Sequence, residues 1–156
     1  MKIHLFALST VALCSGCASV INDVTHPIKI ETRTEAGENI SGAECKLTND
    51  YGVSIMKSGD TGQVRRSSKD LDIVCFDSKN PNAIARAISR ANGGMFGNIL
   101  LGGGIGAIID HNKGTAYTYP TWVQLTFGKS LVFDRNAEKE GLPTPGTVPV
   151  GEQEKK

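Results

Sequence analysis

The chain has 156 residues, with 17 Lys and Arg against 16 Asp and Glu and a formal net charge of +1. That balance leaves no basic face concentrated enough for a nucleic-acid partner, and the length supports one modest domain rather than several. Sparse aromatics (6%) beside 18 glycines favour a small β-rich fold with tight turns over a helical bundle.

Lys2 precedes an apolar run from Ile3 to Leu13, and the run ends at Cys14-Ser15-Gly16-Cys17. The run is about half the roughly 20 residues that a spanning helix needs, so it reads as the core of a signal peptide. Small residues at Ser15 and Gly16 mark a lipoprotein-type cut. Residues 1–16 are then the signal peptide, Cys17 the lipidated first residue of the mature chain, and residues 17–25 a tether. Such cut sites usually carry Leu three residues before the cysteine; here Cys14 stands there, with Leu13 one place earlier. The competing reading is an ordinary secretory peptide with a chance cysteine. Each buried CH₂ of an acyl chain contributes about 0.8 kcal/mol, so palmitate-length chains together on one residue anchor a protein stably. Ala18 is similar to the residue that sorts diderm lipoproteins to the outer membrane, on its periplasmic face.

The domain expected next covers residues 26–134. Ile28 and Ile30 alternate with Lys29, Glu31 and Arg33, the pattern of a half-buried strand. Gly37 and Ser41-Gly42 punctuate a turn. Ala43, Cys45 and Leu47 share one face of a second strand, Val53 to Met56 form a third, and Ser58 to Gly62 form a further turn before Val64. Arg65-Arg66 reads as a solvated strand end. Leu71, Ile73 and Cys75 face inward, and Val74 with Phe76 gives that strand a second apolar side. Cys45 and Cys75 both lie in phase with core residues, and an oxidising compartment favours their disulfide. No Cys-x-x-Cys spacing supports a reactive dithiol. Nor does any His or Cys stand at ligand spacing for a metal, and no cofactor is expected.

Residues 80–92 carry two signals. Asn80-Pro81, the alanines and the four-residue spacing of Ile84 and Ile88 suit a helix closed by Asn92-Gly93, whereas the preceding run of short strands favours another strand. Gly93 to Asp110 is uncharged until its last residue and too short to cross a bilayer as a helix. As one short Gly-rich helix, Gly102, Gly103 and Gly106 would be close-packing glycines that let another backbone approach. That helix either packs in the core, dips into a membrane or self-associates. Gly102, Gly104 and Ala107 also fit Gly-x-Gly-x-x-Ala, but no βαβ unit and no acidic partner about 20 residues on accompany them, so dinucleotide binding is rejected. Asp110-His111 has no nucleophile beside it and reads as part of a turn.

Val123, Leu125 and Phe127 form the inward face of a closing strand, extended by Leu131 to Phe133. Residues 135–156, with Pro143, Pro145 and Pro149 among charges, read as a disordered tail.

The segments from Gly42 to Gly52 and from Val64 to Cys75 resemble a group of bacterial envelope lipoproteins with a PEGA-like, or prealbumin-like, β-sandwich. Gly97 to Gly103, Ile109-Asp110 and Gly114 to Pro120 are similar to the glycine-rich segment and closing strand of that group. The likeness covers residue 40 to about 127. It departs after Cys75, where Phe76 to Pro81 replaces the basic residue and Gly-Tyr usual in the group. It implies an envelope lipoprotein with a mainly β fold and no reaction. The expected class is therefore a non-catalytic structural or interaction module. Its expected partners are the membrane, through the lipid, and another envelope protein or component; in isolation it should be a monomer. Two rivals stand beside it: a self-assembling membrane-associated element built on residues 93–110, and a cell-wall or glycan-acting enzyme. The enzyme would need paired carboxylates, with Asp72, Asp77 and Asp110 as the residues to watch.

Overall fold

The computed structural model describes residues 24–91 and 116–149. Cys17, the glycine-rich segment with Gly102, Gly103 and Gly106, and the helix expected there lie outside these residues.

The described residues are mainly β. In chain order the strands are β1 (Thr25–Arg33), β2 (Asn39–Ile40), β3 (Glu44–Asn49), β4 (Gly52–Lys57), β5 (Thr61–Arg65), β6 (Leu71–Phe76), β7 (Ala83–Ala87), β8 (Arg90–Ala91), β9 (Tyr117–Thr118), β10 (Trp122–Thr126), β11 (Ser130–Phe133) and β12 (Gly146–Thr147). Eight of these have four or more residues, as the alternating runs of the sequence predict. The two-residue strands have no periodic signature.

One sheet is built around β1. Its first half pairs antiparallel with β5 (Thr25 opposite Arg65), and its end pairs with β2 (Thr32 opposite Ile40). On the other edge lies β10, parallel, with Ile30 opposite Val123 and Thr32 opposite Leu125. The second sheet has six strands in the order β12-β11-β7-β6-β3-β4. The chain passes from the first sheet to the second at Gly128, whose φ of +80° suits a residue without a Cβ.

The two sheets share one core. Ile28, Ile30, Val123 and Leu125 of the first sheet pack in a single cluster with Cys45, Leu47, Leu71, Ile73, Cys75 and Phe133 of the second. That arrangement is consistent with a small β-sandwich. Within the core Cys45 stands directly opposite Cys75, and the two form a disulfide with Cα atoms 4.0 Å apart.

Of the two signals over residues 80–92 the strand is the one the fold adopts: Ala83, Ala85 and Ala87 are buried and Ile84 and Arg86 exposed, a period of two. Three sequence expectations change. Strand β6 is not covered on both sides, since Phe76 is 42% exposed. Leu131 to Phe133 do not extend the closing strand; they form β11 in the other sheet. And residues 135–149 of the expected tail pack on the domain. A short 3-10 turn spans Arg135–Ala137, β12 pairs with β11, and Thr144 is buried, its amide bonded to the Trp122 carbonyl.

Candidate functional site

Separate chain segments converge at the end of the domain where β1 begins, and polar side chains tie them together. Arg66, just past β5, donates from Nε to the Thr25 carbonyl (2.9 Å) and from Nη1 to the Tyr117 carbonyl (3.1 Å). One guanidinium thus joins the start of the first strand to β9. Arg is suited to this because its planar fork presents several donors at fixed angles. The sequence reading of Arg65-Arg66 as a solvated strand end holds for Arg65, which ends β5 exposed and lies 4.2 Å over the Tyr51 ring, and is corrected for Arg66, which is half-buried and structural.

Tyr119 is the centre of the same knot. Its ring is fully buried. Its hydroxyl donates to the Lys69 carbonyl (2.9 Å) and accepts from Asn49 Nδ2 (3.1 Å). Burial pushes its phenol above the usual range. Asn49 Nδ2 also reaches the Arg65 carbonyl (2.8 Å), so the β3–β4 turn is held to the β5–β6 loop. Ser67 donates to Asp50, and Ser89 Oγ donates to the Ser67 carbonyl.

His26 packs edge-on to Tyr119, with ring centroids 6.2 Å apart, and is only 4% exposed. Burial, with Arg66 and Arg135 nearby, lowers its pKa to about 4, against the opposing effects of the Pro120 carbonyl and Glu138. The imidazole is therefore neutral at neutral pH. Its Nε2 has no hydrogen-bond partner among the described residues.

The carboxylates at this end are engaged. Asp70 accepts from the Ser89 amide (2.9 Å), Asp134 from Arg90, and Glu138 from Thr121 while standing 3.5 Å from Arg135. The Arg90 guanidinium holds the Asp134 carboxyl below its ordinary value. Exposed at this end are Val24 (51%) and Tyr51 (41%), with Asp50, Arg65, Ser68 and Lys69 around them.

The outer face of the six-stranded sheet carries a second feature. Ile55, Lys46, Val74, Ile84 and Ser130 stand in one row across β4, β3, β6, β7 and β11. Ile55 is the most exposed large apolar residue of the row. Next to it Asp72 and Arg86 form an ion pair (3.0 Å).

No carboxylate pair emerges from the residues singled out in the sequence. Asp72 is taken up by Arg86. Asp77 lies five residues further along and caps the next turn through Lys79 N (3.0 Å) and Asn80 Nδ2 (2.7 Å). Five residues of extended chain span roughly 16 Å, beyond the separation of about 5–9.5 Å at which two carboxylates share a glycosidic bond. Asp110 and His111 lie outside the described residues. A recess of about 410 Å³ at the opposite end of the domain, lined by Thr34, Glu35, Ala36, Asn80, Pro81, Phe127 and Gly128, contains one carboxylate, Glu35. Among the described residues no group of three or more His, Cys, Asp or Glu could hold a metal ion, and no helix is long and apolar enough to cross a membrane.

Sequence reasoning missed Arg66, Tyr119 and His26 as a cluster. Their partners are mostly backbone carbonyls, which no spacing of side chains announces. No family model, curated protein or solved structure matches the chain.

Proposed function

We propose that this chain is a non-catalytic envelope lipoprotein, anchored through lipid on Cys17 and presenting its β domain to another envelope component. The carrying observation is the disulfide between Cys45 and Cys75, set in the core of a domain whose first strand begins eight residues after Cys17. A structural disulfide belongs to an oxidising compartment. The apolar run ending at Cys17 is the device that would deliver the chain there and hold it on a bilayer. Mainly β structure with two sheets on one core agrees with the resemblance to PEGA-like lipoproteins, and Ala18 favours the periplasmic face of the outer membrane.

The role proposed for the domain is contact rather than chemistry. The carboxylates described above are each held by a structural partner or stand alone, so none is paired to act as acid and base. The test is fractionation of cells expressing the natural chain and Cys17→Ser. The natural chain should sediment with outer membranes and resist high-salt washing, and Cys17→Ser should lose that retention. Equal membrane retention of both would overturn the anchor.

A further inference from the structure

We propose that the end of the domain where β1 begins is itself a lipid-contacting face, seated on the bilayer that holds Cys17; this rests on the lipid-anchor reading above. Val24, seven residues after Cys17, is the first described residue, and seven residues reach at most roughly 25 Å. This end is therefore the part of the domain held nearest the acylated cysteine. Ala91, the last residue of β8, and Ala116, just before β9, belong to the same end. Arg90 and Ala91 pair with Thr118 and Tyr117, and Tyr117 is tied through Arg66 to Thr25.

Between Arg90 and Asp110 the sequence has no ionisable residue and carries Met95, Phe96, Ile99, Leu100, Leu101, Ile105, Ile108 and Ile109. The described residues on either side of this stretch, Ala91 and Ala116, both lie at the end of the domain nearest Cys17. The described surface there fits a bilayer partner. Its carboxylates are engaged, as set out above, and Val24 and Tyr51 are exposed beside Arg65 and Lys69. Aromatic rings and long basic side chains of this kind suit the level of lipid headgroups. The opposite end carries Glu35 and Glu38, both exposed, in the turn after β1, with Lys129 Nζ 3.9 Å from Glu35.

The experiment uses the full lipidated chain, purified from membranes and reconstituted in phospholipid vesicles. With Cys17 acylated and Cys45 bonded to Cys75, a cysteine placed at an exposed position is the lone thiol for a fluorophore. Ser68→Cys reports the proposed face and Ala36→Cys the opposite end; both positions are exposed. With headgroup-quencher lipids, the label at residue 68 should lose most of its emission and the label at residue 36 should keep it. A second arm doubles the tether with a Gly-Ser insert before Val24. Quenching at residue 68 should persist, because contact rather than tether length holds the face down. Equal emission at both ends, or quenching that disappears with the longer tether, would overturn the proposal. Finding that the chain purified from membranes carries no acyl group on Cys17 would overturn the anchor reading, and the face with it.

Discussion

His26 shows how one side chain records its surroundings. A buried imidazole among Arg66, Arg135, Tyr119 and Glu138 stays neutral because burial and the two guanidinium groups oppose its protonation. In the unfolded chain the same group titrates near 6.5. Between pH 6.5 and about 4 the unfolded chain therefore binds a proton that the folded chain refuses, and stability falls as pH falls through that window. The full shift corresponds to about 3 kcal/mol. Urea unfolding at pH 7 and pH 4.5 should show this loss, and His26→Leu should flatten it. The loss above pH 5 is the diagnostic part, because Asp134, held low by Arg90, contributes only as pH falls through the carboxylate range. An unchanged pH profile in His26→Leu would place the acid sensitivity elsewhere.

At this scale the sequence was informative for apolar positions and silent for polar ones. Ile28, Ile30, Cys45, Leu47, Leu71, Ile73, Cys75, Val123, Leu125 and Phe127 are all exposed by 2% or less. In a strand with one buried face, alternation leaves an apolar residue no other place to point. Arg66 and Tyr119 bond to carbonyls from distant segments, and nothing in their own neighbourhood encodes such partners.

Among the elements, the β3–β6 pair is the most fully specified. Two alternating strands with cysteines on the inward face can pair in few registers, and the observed one sets Cys45 opposite Cys75. With a sequence separation of 30, the chain-entropy model assigns the bridge roughly 3–4 kcal/mol. A Cys45→Ala, Cys75→Ala double variant should lose about that much in denaturant unfolding at neutral pH. A loss below about 1 kcal/mol would mean that β-sheet pairing already confines the unfolded loop, contrary to the model.

The segment after residue 134 was misread because its order comes from backbone pairing at a sheet edge. A proline-rich, charged composition predicts a poor core, and this segment adds little to one. It docks instead through β12 on β11 and the Thr144 amide. The docking is tight at one point. A Cβ on Gly146 would stand 2.8 Å from Phe133 Cε1 and 3.1 Å from its Cζ, and that ring is fully buried. Gly146→Ala should therefore cost about 1–3 kcal/mol, as overpacking typically does, or detach β12. Gly62→Ala is the control: its Cβ would meet Met56 Cε at 2.7 Å, but that methyl ends a flexible, half-buried chain and can swing aside. Thermal melts of the two variants should separate, with Gly146→Ala the lower. Equal melting would show that the Phe133 ring yields as readily as the methionine.

For the molecule as a whole, the turns and loops fall into two groups. At one end Thr25, the β3–β4 turn, the β5–β6 loop, β8, β9 and Arg135 are laced by side-chain hydrogen bonds. At the other lie the turns after β1, β6 and β10. The sequence predicted the sheets but not this grouping, because a parallel partner such as β10 against β1, or β11 against β7, is fixed by contacts far apart in the chain. The grouping gives the proposed anchor its consequence: the tether and the uncharged stretch 91–109 arise from one end.

The anchor itself is tested most directly by mass spectrometry of the N-terminal peptide, taken from the natural chain purified out of membranes. A chain that begins at Cys17 and carries the added mass of a diacylglyceryl group and an amide-linked fatty acid is the predicted result. A chain that begins elsewhere, or one with an unmodified Cys17 thiol, would contradict the account.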